Sequence, residues 1–127
     1  MEELTLYQCE ICCNLVCMID ESGVDPTCCG QAMKKIEANT VDASREKHVP
    51  VVIQNNCHLS VTVGEEPHPM LPRHHIQWIA VLTDHDVYGR RLSCDEKPCA
   101  EFDLCSDEVI KAVYAFCSLH GLWKKEF

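Results

Sequence analysis

Short apolar runs separated by turn residues fill the chain from about residue 49 onward. Val49–Gln54, His58–Val63 and Ile76–Thr83 are six to eight residues long and rich in β-branched side chains, which is typical of strands rather than helices. Asn55-Asn56 between the first two runs is a turn signal. Further candidate strands are Val87–Ser93, Ala100–Leu104 and Val109–Phe116. Short strands with frequent turns predict a mainly β fold of the sandwich type.

The last of these runs is compatible with two structures. Ser106 could cap a helix over Val109–Phe116. The β-branched and aromatic side chains of the run favour a strand instead.

The first 36 residues show a different pattern. Two strand-like runs, Leu4–Gln8 and Asn14–Ile19, precede a turn-rich stretch at Asp20–Pro26. A segment of this length buries too little apolar surface to fold unaided, so a metal ion is expected to stabilise it. Because the polar stretch Glu37–Thr40 follows, we divide the chain into one domain of residues 1–36 and a second of residues 37–127.

Charge and hydropathy exclude several kinds of partner. The net charge of −9 and the scattered basic residues make nucleic acid an unsuitable partner, because phosphate binding needs clustered lysine and arginine. The longest apolar runs are far shorter than the ~18–20 residues that a membrane span requires. The N-terminus, Met-Glu-Glu-Leu-Thr, is acidic and lacks the basic and apolar regions of a secretory signal. We therefore expect a cytoplasmic protein that does not bind membranes.

Eleven cysteines and seven histidines are the most informative part of the composition. An odd cysteine count without an export signal argues against a disulfide framework and for metal ligation. Six cysteines fall within the first 29 residues. Among them, Cys9-Glu-Ile-Cys12 and the adjacent pair Cys28-Cys29 supply the four thiolates of a tetrahedral zinc or iron site. Cys13 could replace Cys12 as a ligand with a three-residue spacer, although the shorter spacer suits a tight turn better.

The histidines gather in the second part of the chain. Four fragments place them at strand ends or in loops, and these are Glu46–Pro50, Pro67–Met70, His74–Ile79 and Cys117–Trp123. A lone histidine is usually structural, but four such histidines with a Cys-x-x-His pair predict a mixed nitrogen and sulfur metal site. The candidate ligands are His48, His68, His74, Cys117 and His120.

Taken together, these motifs resemble the two-iron superoxide reductases called desulfoferrodoxins. The resemblance covers essentially the whole chain and rests on five motifs in order. They are Cys-x-x-Cys…Cys-Cys, Glu-Lys-His-Val-Pro, His-Pro-Met, His-x-Ile-x-Trp-Ile and Cys-x-x-His-Gly-x-Trp. The resemblance implies a desulforedoxin-like four-cysteine iron domain followed by an immunoglobulin-like β-sandwich that holds a second iron.

The resemblance also implies ligands for both irons. The first iron would be held by Cys9, Cys12, Cys28 and Cys29. The second would have four equatorial histidines, His48, His68, His74 and His120, and the axial thiolate of Cys117. His75 falls where relatives often carry an aromatic residue and is read as non-ligating. One departure is Cys13, which stands where relatives usually have glycine. The remaining cysteines match no family ligand and are expected to be free thiols; they are Cys17, Cys57, Cys94, Cys99 and Cys105.

The implied activity is the one-electron reduction of superoxide to hydrogen peroxide with an external electron donor. Ferrous iron with neutral imidazoles and one thiolate carries a charge of about +1, which favours an anionic substrate despite the net charge. The family assigns Lys47 the attraction of superoxide and has Glu46 occupy the open iron position in the ferric state. A small redox protein such as rubredoxin is the usual donor, and relatives are often homodimers.

Three other functions remain to be distinguished from this one. A zinc-stabilised binding module would lack visible absorption and catalysis. A superoxide dismutase would evolve oxygen and need no donor. A pure electron carrier would use the first iron and leave the four histidines unexplained.

Overall fold

The structure, a computed structural model, describes residues 2–127, and its regular secondary structure is almost entirely antiparallel β-strand. The mainly β fold predicted from the sequence is therefore confirmed. Its residues cluster into two compact units, Met1–Glu37 and Ala38–Phe127. Among the described residues, no helix has the length and hydropathy needed to cross a membrane.

The first unit contains five very short strands. They are β1 (Leu6–Gln8), β2 (Leu15–Cys17), β3 (Thr27–Cys28), β4 (Gln31–Ala32) and β5 (Lys34–Lys35). Strand β1 lies between β2 and β5, while β3 and β4 form a separate hairpin. Only a few side chains are buried, chiefly Leu4, Leu6, Cys9 and Met33. So small a core supports the expectation that a metal ion stabilises this unit.

The second unit is a sandwich of two sheets. Its elements are α1 (Arg45–His48), β6 (Pro50–Asn55), β7 (His58–Val63), β8 (Ile76–Thr83), β9 (Val87–Arg91), β10 (Cys99–Asp103), β11 (Ile110–Cys117) and β12 (Gly121–Glu126). One sheet has the order β10-β7-β6 and the other β12-β11-β8-β9. Seven strands in a three-plus-four arrangement are the number and division expected of an immunoglobulin-type sandwich.

The alternation of buried and exposed residues along the strands shows where the core lies. On β7, Leu59, Val61 and Val63 are completely buried, and the residues between them are more exposed. These side chains belong to one apolar cluster with residues of β8, β10 and β11, so the core fills the space between the two sheets. Cys117 at the end of β11 belongs to this cluster and is fully buried.

Two local features differ from the sequence expectations. Glu46–His48, expected at the start of a strand, lies instead in the single-turn helix α1, closed by a hydrogen bond from Val49 N to Arg45 O (2.9 Å). Four residues are too few to show a helical periodicity. Strand β12 was not anticipated, because three charged residues end its short apolar run. The alternative of a helix over Val109–Phe116 is wrong, since Ile110–Cys117 pairs with two strands.

Candidate metal centres

Four sulfur atoms of the first unit converge on one point. The four-cysteine cluster, Cys9, Cys12, Cys28 and Cys29, has all its Sγ atoms within 4.8 Å of one another. Cys12 Sγ lies 3.6 Å from Cys28 Sγ, and Cys28 Sγ lies 3.9 Å from Cys29 Sγ. A tetrahedral site with metal–sulfur bonds of about 2.3 Å requires sulfur–sulfur distances of about 3.8 Å. The cluster therefore has the dimensions of a tetrahedral metal site.

The backbone around Cys9 stabilises its thiolate. The amides of Ile11 and Cys12 both donate to Cys9 Sγ at 3.4 Å. These hydrogen bonds, led by that from Cys12, lower the pKa of Cys9 to about 6. By contrast, hydrogen bonding with Cys12 raises the pKa of Cys29 to about 12, so this thiol is protonated when no cation is bound. A metal ion would supply the positive charge that allows all four sulfurs to ionise.

Cys13 adopts a backbone conformation that normally requires glycine. Its φ is +66°, in the left-handed region that a side chain disfavours. The conformation closes the turn, because Cys13 N donates to Cys9 O at 3.0 Å. The group of four converging sulfurs found within residues 2–127 includes Cys12 and not Cys13. This arrangement favours Cys12 as the ligand of the two alternatives.

Four imidazole rings of the second unit form a square. His48 comes from α1, His68 and His74 from the loop between β7 and β8, and His120 from the β11–β12 turn. Adjacent ring centroids are 4.6–5.0 Å apart with the planes nearly perpendicular, whereas the centroids of His48 and His74 are 6.3 Å apart. His48 and His74 therefore occupy opposite corners. We call these four residues with Cys117 the histidine cluster.

The nitrogen atoms at the centre of the square have metal-like spacing. His48 Nε2 lies 3.1 Å from His68 Nε2 and 3.0 Å from His120 Nδ1. Adjacent ligands at right angles, each about 2.1 Å from a metal, would be about 3.0 Å apart. Cys117 Sγ lies 3.3 Å from His68 Nε2 and 3.9 Å from His120 Nδ1. The donor atoms of His48, His74, His120 and Cys117 all lie within 4.8 Å of one another, and His68 adjoins this group through its short distances to His48 and Cys117.

Hydrogen bonds at the outer edge of the square fix which nitrogens are free. His48 Nδ1 donates to Ser44 O at 2.6 Å, and His68 Nδ1 donates to Pro69 O at 2.7 Å. In the neutral rings both Nε2 atoms are then unprotonated, so two lone pairs face each other across 3.1 Å. His74 Nε2 is buried and has no hydrogen-bond partner among the described residues. Converging lone pairs without protons between them are the donor set of a metal ion, and carbonyl-anchored imidazoles are typical of such sites.

Burial disfavours the charged forms of His48, His68, His74 and Cys117 when no metal is bound. Desolvation lowers the pKa of His48 and His74 and lowers that of His68 to about 4. Desolvation also raises the pKa of the Cys117 thiol. Neutral imidazoles are the form that binds metals, and a bound cation would favour the Cys117 thiolate.

The charged residues of α1 lie beside this cluster. Glu46 and Lys47 are exposed, and the positive charge of Lys47 contributes to the lowered pKa of His48 and of His74. Gly64 allows the backbone of Lys47 to lie close to the loop after β7. Its φ is +86°, and a Cβ atom there would lie only 2.6 Å from the backbone oxygen of Lys47.

Sequence reasoning did not identify Gly64 or the anchoring carbonyls of Ser44 and Pro69. Carbonyl groups carry no residue-type signal. A glycine shows its role only once the backbone it approaches is known.

Comparisons with known proteins agree with this geometry. The sequence profile of the desulfoferrodoxin family matches residues 40–126. A desulfoferrodoxin from Syntrophotalea carbinolica is 41% identical, with 98% of each chain covered. A desulfoferrodoxin homologue from Archaeoglobus fulgidus is 39% identical, with 97% of each chain covered. Among solved structures, the superoxide reductase from Treponema pallidum is similar with a TM-score of 0.82 at 32% identity, covering 98% of this chain and 99% of that one.

Sequence, fold and donor groups thus lead to the same assignment. The relatives match along nearly the full length of the chain, and the two clusters supply groups able to hold metal ions. The chain belongs to the desulfoferrodoxin family, whose members bind iron.

Proposed function

We propose that this chain is a superoxide reductase that converts superoxide to hydrogen peroxide at the histidine cluster. The observation that carries the proposal is the square of four imidazole rings, with the Cys117 sulfur 3.3 Å from His68 Nε2, beside an exposed lysine. The family and the superoxide reductase from Treponema pallidum support the same reaction.

Five ligands leave one position open. In the proposal, His48, His68, His74, His120 and Cys117 would hold the iron. A six-coordinate ion with these five ligands would keep one position for a small molecule. Ferrous iron in this cluster would supply the single electron that superoxide needs.

Residues around the cluster would prepare the site for this anion. Lys47 would attract superoxide, since it is exposed and directly precedes the candidate ligand His48. The Cys117 thiolate would donate electron density to the metal, as thiolate ligands do in haem enzymes. Glu46, on the same helix as Lys47, would be the carboxylate that binds the iron in the oxidised state.

The four-cysteine cluster would hold the second iron through Cys9, Cys12, Cys28 and Cys29. Its geometry supports a tetrahedral sulfur site. In this proposal residues 1–36 are the four-cysteine iron domain and residues 37–127 the catalytic domain. Rubredoxin or a similar small redox protein as donor, a homodimeric assembly and a cytoplasmic location stay predictions.

Product stoichiometry tests the proposed reaction. The reduced protein should be mixed anaerobically with a limiting pulse of superoxide, and hydrogen peroxide and oxygen measured. A reductase adds one electron and two protons to each superoxide, giving one peroxide per superoxide and no oxygen. A dismutase would give one peroxide and one oxygen for every two superoxide ions, and this result would overturn the proposal.

A further inference from the structure

Two exposed leucines lie beside the ligands of the histidine cluster. Leu71 is 58% exposed and Leu119 is 61% exposed, and of the exposed large apolar side chains of this unit these two adjoin candidate ligands on both loops of the site. Leu119 lies between Cys117 and His120 in the chain, and Leu71 precedes His74 by three residues. Pro72, next to Leu71, is also exposed. We call Leu71, Pro72 and Leu119 the leucine patch.

Hydrogen bonds hold the two loops of the patch together. Leu71 and His74 exchange backbone hydrogen bonds, with N···O distances of 2.9 and 3.1 Å. His75 N donates to Ser118 Oγ at 3.0 Å, and Ser118 N donates to His75 O at 2.9 Å. His75 Nδ1 also lies 3.0 Å from Leu71 O. The leucines are therefore presented on a fixed framework at the His74–His120 edge of the square, where the ring centroids are 5.0 Å apart.

The segments that carry the patch contain no acidic residue. The chain has 20 aspartates and glutamates, yet none occurs in residues 67–83 or 112–123. The only lysine or arginine in these two segments is Arg73, which is exposed. An otherwise acidic protein thus presents an apolar surface with a local positive charge next to its candidate iron ligands.

We propose that the leucine patch is the docking surface for the electron donor, a small acidic one-electron carrier whose own metal lies beneath an apolar surface. This inference rests on the proposed function, which requires one electron from outside for each superoxide reduced. Superoxide is a small anion and gains nothing from exposed leucines, whereas a protein donor buries them on contact. The single arginine and the absence of carboxylates suit an acidic partner.

The size of the patch suits a transient complex. A few apolar side chains bury far less than the ~1,200 Å² at which stable interfaces begin, and redox encounters lie at this low end. A donor seated there would bring its metal close to His74 and His120.

Calorimetric titration tests the docking surface directly. Oxidised rubredoxin is the probe, titrated into the iron-loaded protein at low ionic strength. Leu71→Gln and Leu119→Gln remove apolar surface without adding charge, and each should raise the dissociation constant about fivefold or more. Arg73→Glu should weaken binding and reduce its dependence on salt. The matched control is Ile53→Gln on β6, whose wild-type side chain is 68% exposed, and this variant should bind like the wild type.

Further measurements distinguish a failure of the docking proposal from a failure of the proposed function. In the two leucine variants and in Ile53→Gln, which keep the net charge, the reduced protein should react with superoxide at the wild-type rate, and dithionite should reduce the oxidised protein normally. Unchanged rubredoxin affinity in both leucine variants would overturn the docking proposal. If sedimentation showed instead that the leucine variants change the self-association of the protein, a second copy of the chain would cover the patch. This result would also overturn the docking proposal. If the wild type bound rubredoxin through the patch but failed to reduce superoxide, the proposed function would fail while the docking surface stood.

Discussion

The indole of Trp123 stacks on the imidazole of His48, with ring centroids 4.8 Å apart and an angle of 28° between the planes. The same side chain donates a hydrogen bond from Nε1 to the backbone oxygen of His120 at 3.1 Å. Trp123 is only 1% exposed. One buried residue of β12 therefore orients a candidate ligand from α1 and fixes the turn that carries another candidate ligand.

Replacing Trp123 by phenylalanine should loosen the metal site. Trp123→Phe keeps an aromatic ring against His48 but removes the donor to His120, a loss of about 1 kcal/mol. We expect a chelator to remove iron from the histidine cluster about fivefold faster. Trp78→Phe is the control, because Trp78 stacks on Phe116 instead (centroids 5.6 Å apart). Equal rates of iron loss from both variants would contradict the role of Trp123.

Sequence patterns predicted the parts of the molecule that depend on local spacing. Strand β7 was predicted with its observed bounds, because alternating residues such as Leu59 and Val61 face one core. The Cys-x-x-Cys pair likewise reports a local turn. The square of imidazoles could not be derived in this way, since its corners come from separate parts of the chain and meet only through sheet packing. Gly64 acts on Lys47 from 17 residues away, so neither residue reveals the contact by itself.

Glycine at position 13 should stabilise the first unit. Cys13 has a φ of +66°, which costs a residue with a side chain about 1 kcal/mol, partly offset by the greater unfolded-state entropy of glycine. We expect Cys13→Gly to raise the guanidinium concentration at which the visible band of the four-cysteine site is lost. Cys13→Ala removes the thiol but keeps Cβ and should give no increase. A similar gain in both variants would mean that the thiol, and not the backbone, is responsible.

Removing the charge of Lys47 should slow the encounter with superoxide. Lys47 lies on α1 beside the histidine cluster and affects the pKa of two of its rings, while the chain as a whole carries −9. Lys47→Ala should lower the bimolecular rate several-fold and weaken its salt dependence, because salt screens local attraction. Pulse radiolysis across a range of ionic strengths measures both. Lys125→Ala, with the same change in net charge on β12, should retain the wild-type salt slope, and an unchanged slope in Lys47→Ala would remove this residue from the mechanism.

The carboxylate of Glu108 should contribute pH-dependent stability. It accepts hydrogen bonds from Tyr88 Oη and from Thr83 Oγ1, the latter at 2.7 Å. These bonds, chiefly that from Tyr88, lower the pKa of Glu108 to about 2. A folded-state pKa below the unfolded value of about 4.5 means that the contribution is complete above pH 4.5 and is lost as the pH falls toward 2.

Glu108→Gln should therefore be less stable than the wild type at pH 7, and the difference in stability between the two proteins should be smaller at pH 3. Denaturation midpoints of both proteins at each pH measure this, since metal loss in acid affects the two alike. Asp95→Asn, at an exposed position, should show a small difference at both pH values. If the difference in denaturation midpoint between Glu108→Gln and the wild type did not change with pH, Glu108 would not be the source of the pH-dependent stability.

The central claim is that two independent clusters hold iron and that Cys117 completes the catalytic one. Visible spectra, iron content and donor-driven superoxide reduction of anaerobically purified variants test it together. Cys117→Ser should retain part of its iron but lose the thiolate band of the histidine cluster and nearly all turnover. Cys28→Ser should lose only the band of the four-cysteine cluster.

Cys105→Ser provides the decisive comparison, because Cys105 is an exposed thiol whereas Cys117 is buried among the imidazoles. We expect Cys105→Ser to keep both bands and normal turnover, and Cys117→Ser to lose the thiolate band of the histidine cluster and nearly all turnover. Normal turnover and both bands in Cys117→Ser, with turnover abolished in Cys105→Ser, would contradict it.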